Sequence, residues 1–401
     1  MAEKYGISSL VLTGDASSAV DVSTCVVFIG RASGSDENSG TAIKCTSVDD
    51  YNTKFHNGAA PKSPATLDLC AQYALNRMTS AWFVNVNKEI GDEKASDYTD
   101  CIEKALADIC LDTSDIPNLI CVPEMQDADV LNLLDKQCSG NIAGQYHAQC
   151  IVDCAESADQ IGSDNKPVAK AITVPKASGN LIACWGRITE DGETYYNGSI
   201  VAAVQRALQD AKNTQGIPYR SVGNLRVDCK QMAIVVTNGQ VASTIPCSCM
   251  QNDMNNVVEN GIISFVNKGN NRWYTWGDHT SAVTAGNVDD ETYRFDSTVA
   301  VLYTILNRFI VKWESEIDSP MTLRLRDTII NDQQDYLNGL VAAGALIGTP
   351  KCEFRAVDND SDTLGKGQFY FTDIVTATIP AKYLQLNIQY TDEGLSAYLE
   401  E

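Results

Sequence analysis

The residues with which this chain could do chemistry are 3 histidines, 14 cysteines and a few acidic clusters, and their spacing organises none of them into a reactive site. His56, His147 and His279 lie far apart with no motif around them. Histidine titrates near neutrality, yet without a neighbour to orient it each reads as a surface or internally satisfied residue. Cys150 and Cys154 could share a helix face, Cys247 and Cys249 form a close pair, and Cys229 or Cys184 could complete a zinc set with them. Neither pair has C-x-x-C spacing, and a strand would point Cys247 and Cys249 to the same side without implying ligand geometry. The acidic runs Asp289-Asp290-Glu291 and 358–362 lack the alternating ligands, glycine and closing glutamate of a calcium loop. There is no G-x-S-x-G elbow, no H-E-x-x-H and no P-loop; Gly365-Lys366-Gly367 lacks both the glycine spacing and the Ser/Thr. The expectation is no catalytic residue, no cofactor and no metal.

The bulk composition points the same way. With 401 residues, 44% apolar and 20% charged, the chain can bury a sizeable core in two or three domains or subdomains. Thirty Lys+Arg against 52 Asp+Glu give a net charge of −22, which disfavours nucleic acid and anionic membranes as partners and suits a basic partner or plain solubility. No apolar run approaches the ~20 residues of a membrane span, and the opening MAEKYGISSLVL has no basic region followed by an apolar core and cleavage site. The chain therefore reads as made and kept in the cytosol, with free thiols and no direct membrane insertion.

The elements that would position any site alternate strand and helix. The apolar run 25–31 reads as a central strand; Ser47 caps a helix to Phe55, ended by Asn57-Gly58; a helix with Pro64 at its first position precedes the strand 82–86. Helices 98–109, 127–134 and 200–211 alternate with strands 119–122, 149–152, 171–174, 181–185 and 233–236. Further on come a short helix to Val258, strands 262–266 and 272–276, a long helix from Asp296 to Ile317, a helix opened by Asp332, and strands 352–357 and 368–379. This is an α/β (α+β mixed) chain, divided as 1–21, 22–92, 93–250, 251–380 and 381–401.

Both ends stand apart from that body. Residues 383–390 alternate without a break, with Leu384, Leu386, Ile388 and Tyr390 on one face and Gln385, Asn387 and Gln389 on the other. The stretch follows Pro380, and no turn and partner strand come after it. Its ordinary reading is a strand in the chain's own sheet; the sharper one is an arm that completes a neighbour's sheet. At the other end Ile7, Leu10, Val11 and Leu12 form an extended segment, joined to the body by a linker with Gly14 and Ser17.

The final third resembles the tail sheath proteins of contractile bacteriophages and related contractile injection particles. Asn260-Gly261-Ile262 stands where those proteins carry a Gly-Ile-Asn turn, and Trp276-Gly277-Asp278-His279-Thr280 where they carry Trp-Gly-Ala-Arg-Thr, with Asp278 and His279 replacing a small and a basic residue. The helix ending Gly344-Ala345-Leu346-x-Gly348 and the closing strands continue the likeness, as do 26–30, 48–55 and 82–86 near the start; between about 90 and 250 it is faint. The resemblance implies a multi-subdomain sheath-subunit fold with strand arms at both termini. It implies stacked hexameric rings of this chain around an inner tail tube protein, with baseplate and tail terminator proteins as further partners, in a virion tail or a phage-tail-like particle assembled in the bacterial cytoplasm. Contraction then drives the tube through a target envelope, with the arms linking rings across Gly14–Ser18 and Pro380-Ala381. Asp332, Asp335 and Asn338 mark the helix expected to face the tube. The alternatives are an α/β enzyme or ligand-binding protein without a recognisable motif, and a cysteine-rich metal-binding domain.

Overall fold

A computed structural model describes residues 21–33, 38–86, 95–112, 115–238 and 241–398. The first apolar run is β1 (Val26–Gly30), buried at all five positions, as an unbroken apolar pattern requires of a strand covered on both faces. β2 (Ala42–Cys45) runs at the sheet's margin. Ser47 then caps α1 (Val48–His56), accepting from the Asp50 N–H, and Asn57 closes the helix at φ 52°. Pro64 does not open the next helix: α2 is Thr66–Leu75, starting after Ala65, whose N–H donates to the Asp68 carboxylate at 2.8 Å.

β3 (Ala81–Asn85), α3 (Ala95–Asp112), β4 (Leu119–Val122) and α4 (Ala128–Cys138) continue the alternation. A small hairpin, β5 (Ser139–Ile142) with β6 (Tyr146–His147), leads to β7 (Gln149–Asp153). The expected strand 171–174 is absent; a 3-10 turn (Ala169–Ala171) occupies its start, and of the four residues only Ile172 is buried, too little apolar surface to hold a strand. Next come β8 (Leu181–Cys184), β9 (Arg187–Thr189), β10 (Tyr195–Asn197), α5 (Gly198–Asp210) and β11 (Arg226–Val227). The strand expected at 233–236 is the middle of β12 (Gln231–Asn238), which pairs from Met232 to Asn238 with β13 (Val241–Cys247).

α6 (Gln251–Val258), β14 (Ile262–Asn267) and β15 (Trp273–Trp276) match the expected pattern closely. The long helix is α7 (Asp296–Trp313), shorter than expected: a 3-10 turn (Glu314–Glu316) follows, and Ile317 is 75% exposed. Asp332 does not open the last long helix. α8 (Leu323–Ala343) begins at the Thr322 cap, which accepts from the Leu325 N–H, and Asp332 lies in its interior. β16 (Lys351–Glu353), α9 (Ser361–Gly365) and β17 (Thr372–Ile374) follow, the two strands much shorter than their apolar stretches suggested.

Nine strands form the main sheet in the order β11-β15-β14-β8-β7-β4-β1-β3-β2. The run from β14 to β3 is parallel throughout, with antiparallel strands only at its margins. From β1 the chain moves one way to β3, then crosses back to β4 and continues outward through β7 and β8, which is a doubly wound order. Alternate side chains serve the two faces. Phe28, Phe83, Cys121 and Ile151 pack under α1, α2 and α5; Val27, Val84, Ile120 and Val152 pack under α3 and α4. A four-stranded antiparallel sheet, β10-β9-β12-β13, flanks this layer. A third core joins α7, α8 and the β16–β17 pair through Val301, Ile305, Leu337, Leu340, Leu346 and Ala377. Strands from 22–92, 93–250 and 251–380 thus share one sheet, with β4, β7 and β8 of the middle stretch at its centre.

Two glycines of the expected motifs hold the end of this sheet. Gly261 turns α6 into β14 at φ 73°, and a Cβ there would lie 2.3 Å from the Val283 carbonyl oxygen; Gly277, at φ 109°, lies against the backbone of Ile262. Gly261→Ala combines a left-handed backbone with a clash against main chain, so it should destabilise the subunit by about 2 kcal/mol or more, read as a lowered denaturation midpoint.

Candidate functional site

A doubly wound sheet offers one place for a ligand, the rim at the C-terminal ends of its parallel strands beside the crossover between β1 and β4. Here that rim is filled by the chain's own carboxylates. At the start of α2, Asp68 accepts from the Ala65 and Ser33 N–H groups and from the Tyr51 hydroxyl, and lies 2.7 Å from His56 Nε2. At the start of α5, Asp153 accepts from the Ser199 N–H at 3.0 Å, from Asn197 Nδ2 and from the Glu124 N–H. These are the positions where helix N-termini elsewhere take phosphate. Glu124, held at φ 63°, joins Thr66 to Arg187, and Arg187 also binds Glu156 at 2.9 Å. Burial pushes the Asp153 carboxyl up and Glu156 up to about 7, against the pull of Arg187. Glu124 is drawn below the usual range because Arg187 and the Thr66 hydroxyl outweigh its burial. The remaining crevice is about 140 Å³, lined by Arg31, Thr66, Tyr98, Glu124 and Asp127 among others. As chemistry, this arrangement ties α2 and α5 to the sheet.

A second buried network ties α5 to α7. Arg206 reaches Asp296 at 2.5 Å, Asp210 at 3.2 Å and the Pro218 carbonyl at 3.1 Å, while Thr24 donates to Asp210. Burial raises both carboxyls, Asp210 to about 6, with Arg206 opposing. Asp296, expected as a helix cap, is therefore the buried anion of this network.

The thiols offer no reactive centre. All 14 cysteines are free, with three half-buried and the rest buried, and burial pushes thiols such as Cys25 and Cys45 up to about 12. Cys150 lies in β7 with Cys154 just beyond it, so the two share no helix face. Among the described residues no three His, Cys, Asp or Glu side chains converge as a metal site.

The exposed candidate is the C-terminal arm. Leu384, Leu386, Ile388 and Tyr390 are 86%, 82%, 84% and 81% exposed, and 383–390 pairs with no strand among the described residues. The polar face bonds along itself, Tyr383 to Gln385 at 2.8 Å and Gln385 to Asn387 at 2.6 Å, as side chains two apart on an extended backbone can. Pro380 is half-buried at the arm's root, and the root edges a groove of about 700 Å³ lined also by Leu225, Val258 and Trp276. Leu346 is buried and bridges Ala377 just before the root, with Gly348 at φ 78°. Ile7, Leu10, Val11, Leu12, Gly14 and Ser17 lie outside the described residues. Asp332 points to α7, paired with Arg308 and 3.7 Å from Lys312, whereas Asp335 and Asn338 are exposed. The rim residues Asp68, Glu124, Asp153, Glu156 and Arg187 were not singled out from sequence. Asp68, two residues into a helix with no polar cap, is the one that its position signals.

No family model and no curated protein matches the sequence. Solved structures match its fold over nearly the whole chain. A chain of the anti-feeding prophage baseplate, 6-fold symmetrised, is 14% identical with a TM-score of 0.67 over 98% of this chain and 100% of that one. A chain of the PVC sheath complex, an extracellular contractile injection system in its contracted state, is 16% identical with a TM-score of 0.66 over 98% and 99%. A sheath tail protein from Listeria innocua is 11% identical with a TM-score of 0.56 over 90% and 96%. The chain has the fold of these contractile-sheath proteins.

Replacing Arg206 by Met would leave Asp296 and Asp210 buried without their cation. The expected loss is about 3–5 kcal/mol at neutral pH, measured by chemical denaturation.

Proposed function

We propose that the chain is the structural subunit of a contractile sheath that polymerises around an inner tube and contracts to drive it through a target envelope. The observation that carries this reading is the arm: a sheath-like body carries an amphipathic extended segment that nothing among the described residues covers. Burial of each of its large apolar side chains is worth about 1.5–3 kcal/mol, so a surface on another copy would gain strongly by taking it, less the cost of ordering. Main-chain pairing of an arm with a neighbour's sheet keeps bodies connected while they rotate. Free strand edges suited to such pairing occur on β13 and on the short β16–β17 sheet.

The proposed assembly is of stacked hexameric rings, with an inner tube protein, baseplate and terminator as partners, in a virion tail or a phage-tail-like particle built in the bacterial cytoplasm. The N-terminal segment 7–12 is proposed as a second arm. For tube contact we retain the exposed side of α8 at Asp335 and Asn338; Asp332 is withdrawn because it is engaged with Arg308. The alternative of an enzyme or ligand-binding protein is weakened by a rim whose anion positions are taken by Asp68 and Asp153.

Removal of 384–401 should leave a folded subunit with an unchanged melting temperature, since the arm's apolar face is buried against none of the described residues, but one that builds no long cylinders. Negative-stain images of normal cylinders from that truncation would overturn the reading. Asp335→Lys with Asn338→Lys should weaken co-sedimentation with tube protein while sheath cylinders still form; unchanged co-sedimentation removes this face from the tube contact.

A further inference from the structure

The arm's root is held to the body at one point. Up to Thr378 the backbone is fixed: its N–H donates to the Ala345 carbonyl at 3.0 Å, and Ala377 bridges Leu346. Among the described residues, the one hydrogen bond or ion pair from 379–392 back to the chain before Ile379 runs from Lys382 Nζ to Asp278 Oδ1, at 2.5 Å. Between these two points Ile379, Pro380 and Ala381 border the groove of about 700 Å³, opposite Tyr219, Leu225 and Trp276, and the root crosses open space there.

Asp278 itself is firmly set. It follows Gly277, its carbonyl accepts from the Asp296 N–H at 3.0 Å, and its side chain is only 7% exposed, against 43% for Lys382. A buried carboxylate requires a cation or several donors. Within 4.0 Å its cation is Lys382; His279 also lies 3.9 Å away, but burial lowers its pKa below the usual histidine value. The acidic residue that departs from the family's small one therefore has a counterpart 104 positions away, at the arm's base.

We propose that the Lys382–Asp278 ion pair is a latch that sets the direction in which the C-terminal arm leaves the body, with residues 379–382 a strap over the groove that swings once the pair opens. The latched root presents the Leu384–Tyr390 face in one orientation for docking on a neighbour; opening lets the arm pivot about Thr378 without unfolding any element. The consequence for assembly rests on the sheath reading above, but the latch itself is a property of the single subunit.

Trypsin cleaves after a lysine only when the side chain is free to enter its pocket, so release of fragment 383–401 from unassembled full-length protein reads the latch directly. Asp278→Asn should release it about tenfold faster than wild type, the effect of losing a charge-assisted bond of roughly 1.4 kcal/mol, and Lys382→Arg should still be cut slowly. Equal rates in Asp278→Asn and wild type overturn the latch. Should Asp278→Asn unfold, cleavage appears along the whole chain; wild type at high salt then takes its place, with faster release at 382 relative to other sites expected and an unchanged ratio overturning the proposal. For the consequence, Lys382→Met leaves the buried Asp278 without its cation, so its melting temperature should fall somewhat; assayed well below that midpoint it should give fewer and shorter cylinders, restored by Lys382→Arg. Cylinders from Lys382→Met equal to wild type overturn the role in assembly. A wild-type chain that forms no cylinders refutes the sheath reading and leaves the proteolysis result standing.

Discussion

An extended segment with one apolar face has no stable resting place in water by itself. Leu384, Leu386, Ile388 and Tyr390 stand in solvent together, and a lone strand gains neither ladder bonds nor a covered face. The rest of the molecule is arranged around this asymmetry. The body is a sheet buried on both faces, able to act as one rigid piece, while the segment that needs a partner is attached by a narrow root.

The body's rigidity has a chemical side. In many doubly wound proteins the strand ends are left open and helix N-termini wait for an anion. Here the side chains of Asp68 and Asp153 occupy those positions, and Glu124, Arg187 and Glu156 bridge the loops between them. The Arg206–Asp296–Asp210 network does the same between α5 and α7. Breaking any one of these would leave a buried charge unpaired, so the elements they join are held as a unit.

Much of this was legible in the sequence where local signals and tertiary needs agreed. β4 and the Ser47 cap of α1 fell where the pattern put them, because unbroken apolar runs and a capping serine mean the same thing locally and globally. The Gly261 turn was legible because only glycine fits there. β13 was missed: Val241–Cys247 is interrupted by Ser243 and Thr244 and carries Pro246, a residue tolerated because this is an edge strand. The first turns of α8 were missed because Leu323 and Arg324 are exposed and three of the first five helical residues, Arg324, Arg326 and Asp327, are charged. The rim carboxylates and the Asp278–Lys382 pair were illegible for another reason. Their partners lie up to 104 residues away, and only the folded chain brings them together.

The arm's composition also sets a race within the producing cell. Residues 383–391 carry no charge and no proline, and alternate apolar with amide side chains, which is the make-up of segments that stack into cross-β fibres. In the proposed sheath, free subunits have two sinks, one ordered and one not, and only the first needs a specific partner surface. Lys382 on one side and Asp392-Glu393 on the other act as gatekeepers against the second. The charge of −22 on the whole chain adds mutual repulsion between free copies. Slow, templated growth from a nucleus, with few unassembled copies at any time, is the regime in which such an exposed segment is safe.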